Sequence, residues 1–99
     1  MSGLVEHEEK TLFSYKVYQI QNLQNCGIQI GDILICKKVN VIPNSGIYIL
    51  NYEGELLAVY GRYEKINSTI YINLGDIIIK YTELNNIVGI AIGGFYKLQ

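Results

Sequence analysis

Histidine and cysteine are nearly missing from these 99 residues: His7 stands alone, and Cys26 and Cys36 are the only thiols. A single histidine in an acidic stretch serves no Ser-His-Asp or Cys-His relay unless something docks it beside a nucleophile, and His7 reads as a solvated surface residue. Cys26 and Cys36 lack the close paired spacing of a zinc site and are too few for a disulfide framework, so both read as small buried apolar side chains. Positive charge is scarce too. The formal charge is -1 and the sequence pI is near 5.7, which argues against direct nucleic-acid binding by this domain, because neutralising several phosphates takes a basic face. Nor do the nine tyrosines alternate with lysines and arginines as in single-strand binders; at this density they mark half-buried β surface.

No long hydrophobic run occurs. Leu84 to Tyr96 is free of charge but falls short of a bilayer span and is broken by Asn85, Asn86 and three glycines, so no membrane crossing is expected. A secretory leader is missing as well, which makes the cytoplasm the expected location. Phosphate-cradling glycine loops are absent, since Gly89, Gly93 and Gly94 sit inside an apolar strand pattern, and no cofactor and no metal are expected. With 49% hydrophobic and 17% charged residues the chain is too apolar for disorder. Its length suits one domain with one core, and some of its apolar surface is expected to meet a partner.

What is present is a succession of short Ile-, Val- and Tyr-rich runs punctuated by Gly, Asn, Ser and the only proline, Pro43. That pattern predicts an all-β domain over 13–99, preceded by a flexible arm over 1–12 that holds an acidic cluster. Strands are predicted near Tyr15 to Gln21, Asp32 to Lys37, Gly46 to Asn51, Glu55 to Tyr60, Thr69 to Asn73, Asp76 to Tyr81 and Ile87 to Tyr96. Alternation of Tyr18 and Ile20 with Gln19 and Gln21 predicts one buried face, whereas the continuous runs Ile33-Leu34-Ile35 and Ile77-Ile78-Ile79 predict strands covered on both sides. Glu53-Gly54 and Asn67-Ser68 carry hairpin chemistry, and Pro43-Asn44-Ser45-Gly46 reads as a turn that re-aims the chain. The match of Gly31-Asp32-Ile33 to Gly75-Asp76-Ile77 reads as shared turn chemistry.

The most informative segment runs from Tyr18 to Ile35. Within it Asn22-Leu23 is followed after three residues by Gly27-Ile28, then after two more by Gly31-Asp32 and the apolar Ile33-Leu34-Ile35. This resembles the active-site box of the LexA/UmuD family of self-cleaving regulators, in which a Ser-Met pair occupies the first position. The likeness continues through Ile42 to Leu50, the hairpin at Glu53-Gly54-Glu55 and the closing run Ile87 to Gly93, covering about Phe13 to Lys97. It implies curved, partly closed antiparallel sheets of the LexA C-terminal-domain or signal-peptidase-like type, with Gly27, Gly31, Asp32 and Gly54 as structural motif residues.

The departures from that pattern bear on function. The family's nucleophilic serine falls on Asn22, whose carboxamide has no ionisable proton and forms no acyl-enzyme. Its general-base lysine falls on Val59, a hydrocarbon; a slip of the hairpin offers Tyr60, Gly61 or Arg62, and a guanidinium stays protonated. Ser2, Ser14, Ser45 and Ser68 lie in the arm, at a strand edge or in turns, so none replaces Asn22.

The resemblance therefore implies a non-catalytic dimerisation or protein-interaction domain of a phage-repressor or LexA-like transcription regulator. A homodimer is expected, paired partly through the last strand by Ile87, Val88, Ile90 and Ile92, if that long apolar strand lies at an edge. Two other readings stay open: a free-standing UmuD-like accessory of a DNA polymerase in the damage response, and an unrelated small β-barrel binding module.

Overall fold

The computed structural model describes residues 12–96. Seven strands follow one another: β1 (Leu12–Lys16), β2 (Ile33–Lys37), β3 (Ser45–Tyr52), β4 (Glu55–Glu64), β5 (Thr69–Asn73), β6 (Ile78–Tyr81) and β7 (Ile87–Tyr96). Two short 3-10 turns, Leu23–Cys26 and Leu84–Asn86, are the only helical pieces among the described residues. All neighbouring strands pair antiparallel, in the order β1-β2-β7-β3-β4-β5-β6. The chain is all-β, as its composition and turn spacing predict. It forms one open sheet where two partly closed ones were expected, because β7 inserts between β2 and β3 and joins the halves; β1 and β6 are the free edges.

The β3–β4 hairpin turns at Glu53 (φ 52) and Gly54 (φ 84), two left-handed residues of the kind that match the twist of the flanking strands. β5 and β7 keep the predicted bounds, while β4 runs on to Glu64, four residues beyond the predicted end.

The core explains how one sheet buries so much without helices. In β3, Ile47 and Ile49 join a cluster with Tyr15, Val17, Leu23, Ile28, Leu34 and Cys36, while Tyr48 and Leu50 join a second cluster with Val59, Ile70 and Ile72. Side chains alternate between faces along a strand, so these clusters cover opposite faces of β3. Side chains of β1 and β2 thus pack with one face of β3, and side chains of β5 and β6 with the other. Burying an aliphatic side chain of this size stabilises by roughly 1.5–3 kcal/mol. Close approach sets one residue type: a Cβ on Gly89 would fall on the carbonyl of Lys37 and within 2.9 Å of Phe13 Cε1.

Several sequence expectations need correction. β1 ends at Lys16, and Tyr18 is exposed, because Val17 leaves the strand to bond across to Asp32 (N to O, 2.9 Å) and receives the Gly31 N–H at its carbonyl (2.7 Å). The buried face belongs to Tyr15 and Val17. In Ile33-Leu34-Ile35 only Leu34 is fully buried, and Ile77, Ile78 and Ile79 are 59%, 59% and 40% exposed, because β6 is an edge strand with no layer over its outer side. Cys36 is buried as expected, but Cys26 lies exposed at the end of a 3-10 turn. Of the arm read over 1–12, Leu12 opens β1, and residues 1–11, His7 included, lie outside the described residues.

Candidate functional site

The segment singled out in the sequence forms a tight knot against β4 and β5. Gln21 takes a left-handed backbone (φ 41), a costly conformation for a non-glycine residue, and reverses the chain ahead of the Leu23–Cys26 turn. Leu23 is wholly buried and anchors the turn in the first cluster, together with Ile28. Gly27 ends the turn in a left-handed conformation, donating its N–H to Gln24 O at 3.1 Å. Asp32 is buried and fixes the next bend, its Oδ2 accepting the Gln29 N–H at 2.9 Å, ahead of β2. Each motif residue read from the sequence thus has a local physical role: Gly27, Gly31 and Gly54 in left-handed turns, and Asp32 as the acceptor that holds one of them.

Asn22 occupies the N-cap position of the turn but does not cap it. Its side chain reaches across to the sheet. Nδ2 donates to Tyr60 O (2.7 Å) and to Asn73 O (3.2 Å), and Oδ1 accepts the Tyr60 N–H (2.9 Å). Both ends of the carboxamide are therefore committed to main chain, and Asn22 is only 7% exposed. The two positions picked out in the sequence nearly meet, because Asn22 grips the residue next to Val59. Val59 itself faces Tyr48 across the β3–β4 ladder and is buried in the second cluster.

Around this clamp lies a cleft of about 580 Å³ lined by Asn22, Asn25, Cys26, Tyr60, Asn73 and Gly75. Partial burial raises the Cys26 thiol above its ordinary pKa, which disfavours the thiolate a nucleophile needs. Ser14, Ser45 and Ser68 are not among the lining residues. Among the described residues no group of His, Cys, Asp and Glu is placed to hold a metal ion, and no helix is long and apolar enough to cross a membrane. The sequence offers Tyr60 only as an alternative to Val59 and Asn73 only as a strand end; their part in the clamp is not legible there because they contribute main-chain atoms, which carry no residue signature. The one available signal was the turn chemistry of Asn73-Leu74-Gly75, where Asn73 Oδ1 accepts the Gly75 N–H at 2.8 Å.

A second hollow, of about 300 Å³ and mainly apolar, lies against the second cluster between Gln21, Leu57, Val59, Ile79 and Tyr81. The Tyr81 hydroxyl beside it is buried and has no hydrogen-bond partner among the described residues.

Ile87, Val88, Ile90 and Ile92, expected to pair with another copy, lie on β7, which stands between β2 and β3 in the strand order. Between Ile87 and Ile90, β7 bonds to β3 on one side, while from Ile90 onward it bonds to β2 on the other. Ile87, Val88 and Ile90 are half-buried against the two clusters, and only Ile92, at 51%, is well exposed. Only Ile90 is paired on both sides: among the described residues, 87–89 of β7 pair with β3 alone and 91–96 with β2 alone. Compared with family models and with curated proteins, the chain matches none.

Proposed function

We propose that this chain is a non-catalytic interaction domain of a LexA-like or phage-repressor-type regulator, acting in the cytoplasm by self-association or by binding a protein partner. Asn22 carries the reading. At the position where the resembled family holds its serine, a carboxamide is spent entirely on three main-chain hydrogen bonds. Such a group ties one element to two strands and has no proton to give up in acyl transfer. Val59 adds to this, since a buried isopropyl group next to the clamp accepts no proton. What remains is a rigid all-β scaffold with apolar surface left for contact.

Two measurements on the purified chain test the proposal. Incubation at alkaline pH followed by mass spectrometry should return the intact mass, and sedimentation or capture from source cells should reveal a self-associated or partner-bound species. Fragments that persist when Asn22 and Val59 are both replaced would overturn the assignment of those positions. A chain that stays monomeric and captures nothing would overturn the interaction role.

A further inference from the structure

β6 ends the sheet, and Ile78 and Ile79 on it, with Ile77 just before it, are exposed, although natural edges are usually blunted by charge, proline, a bulge or a covering element. Its main-chain groups are oriented for another strand. Leu74 donates its N–H to Ile77 O (2.9 Å), and Asn73 stands opposite Ile78 and Tyr71 opposite Lys80 in the β5–β6 ladder. Bonded and non-bonded pairs alternate in an antiparallel ladder, so the N–H and C=O groups of Ile78 and Lys80 point outward, away from β5.

The charges beside them are self-complementary. We propose that β6 pairs edge to edge with β6 of a second copy of this chain, antiparallel and centred on Ile78, placing Asp76 of each copy opposite Lys80 of the other. This names the surface for the self-association in the proposed function and rests on that reading. In this register Ile78 meets Ile78 in a bonded pair, and Ile77 meets Ile79 on the face that carries the second hollow. Registers centred one residue away set both charges against uncharged residues. Those centred two residues away set Asp76 against Asp76 or Lys80 against Lys80. The other free edge offers no such match, since β1 folded on itself about Ser14 would set Leu12 against Lys16. A two-fold contact of this kind is isologous and closes at two copies.

Sedimentation velocity over a concentration series tests the register through a charge swap at two exposed positions. Asp76→Lys alone and Lys80→Asp alone should each weaken dimerisation about tenfold or more, by turning two attractive pairs into two repulsive ones. The double variant, Asp76→Lys with Lys80→Asp, should restore the parent affinity, a rescue that a merely structural role would not give. Ile78→Lys should abolish the dimer while leaving the circular dichroism unchanged. A dimer indifferent to all four variants would overturn this interface and leave the interaction role standing. A parent chain that is monomeric throughout would overturn the interface and the self-association on which it rests.

Discussion

Asn22 closes both main-chain hydrogen-bonding groups of Tyr60, accepting its N–H at 2.9 Å and donating to its carbonyl at 2.7 Å. A side chain that mimics a strand in this way holds the 3-10 turn against β4, and the third bond, to Asn73 O, extends the hold to β5. Asn22→Ala leaves these groups without their partner. A loss of about 2–4 kcal/mol is expected, read as a lowered denaturant midpoint at unchanged m-value. Asn22→Asp should cost at least as much at neutral pH, because a carboxylate cannot donate to the Tyr60 and Asn73 carbonyls.

Alkaline pH should unfold the domain. Burial pushes the Tyr15 and Tyr48 hydroxyls up to about 12 and the Cys36 thiol up to about 11. These groups are held neutral in the fold. The unfolded chain loses its protons first, and the stability they contribute is intact below about pH 9 and falls away between about pH 9 and 12. Tyrosinate absorbance should rise in two stages, the later one coinciding with loss of β-sheet circular dichroism. A single transition near pH 10 with the sheet intact would contradict this.

Tyr81→Phe removes a buried hydroxyl that makes no hydrogen bond to any described residue. Since its desolvation is uncompensated, the variant should match the parent or gain up to about 1 kcal/mol in thermal or chemical denaturation. A marked loss would mean that the hydroxyl has a partner in solution.

Gly89→Ala places a methyl group on the Lys37 carbonyl and against Phe13. With backbone on one side the site has little room to yield, and a loss of about 1–3 kcal/mol or failure to fold is expected. Calorimetry or denaturant titration reads it directly.

Much of the fold was legible because strand chemistry is local. Thr69 to Asn73 and Ile87 to Tyr96 were bounded correctly by their β-branched residues and flanking turns, and Glu53-Gly54 announced its hairpin. Burial was less legible, because it depends on who stands next to whom. Ile33-Leu34-Ile35 and Ile77-Ile78-Ile79 have nearly the same composition, yet Leu34 lies at the centre of a cluster and all of the latter run is exposed. Strand order decides this, and order is set by long-range pairing that no short window contains. The same holds for the clamp: the sequence drew attention to Asn22 and Val59, but nothing in either residue announces that the acceptor and donor would be the backbone of Tyr60.

The position of β7 also governs how the sheet is assembled. Up to Asn86 the chain can make only two separate ribbons, β1 with β2 and β3 through β6, for no ladder joins them without β7. A chain that stops at Asn86 therefore holds at most two half-sheets whose inner margins lack the strand that joins them. Completion falls to the final segment of this stretch, and such late, sequence-distant pairing slows folding. Truncation at Asn86 should leave a protease-sensitive chain, whereas supplying Ile87 to Tyr96 as a separate peptide should restore resistance.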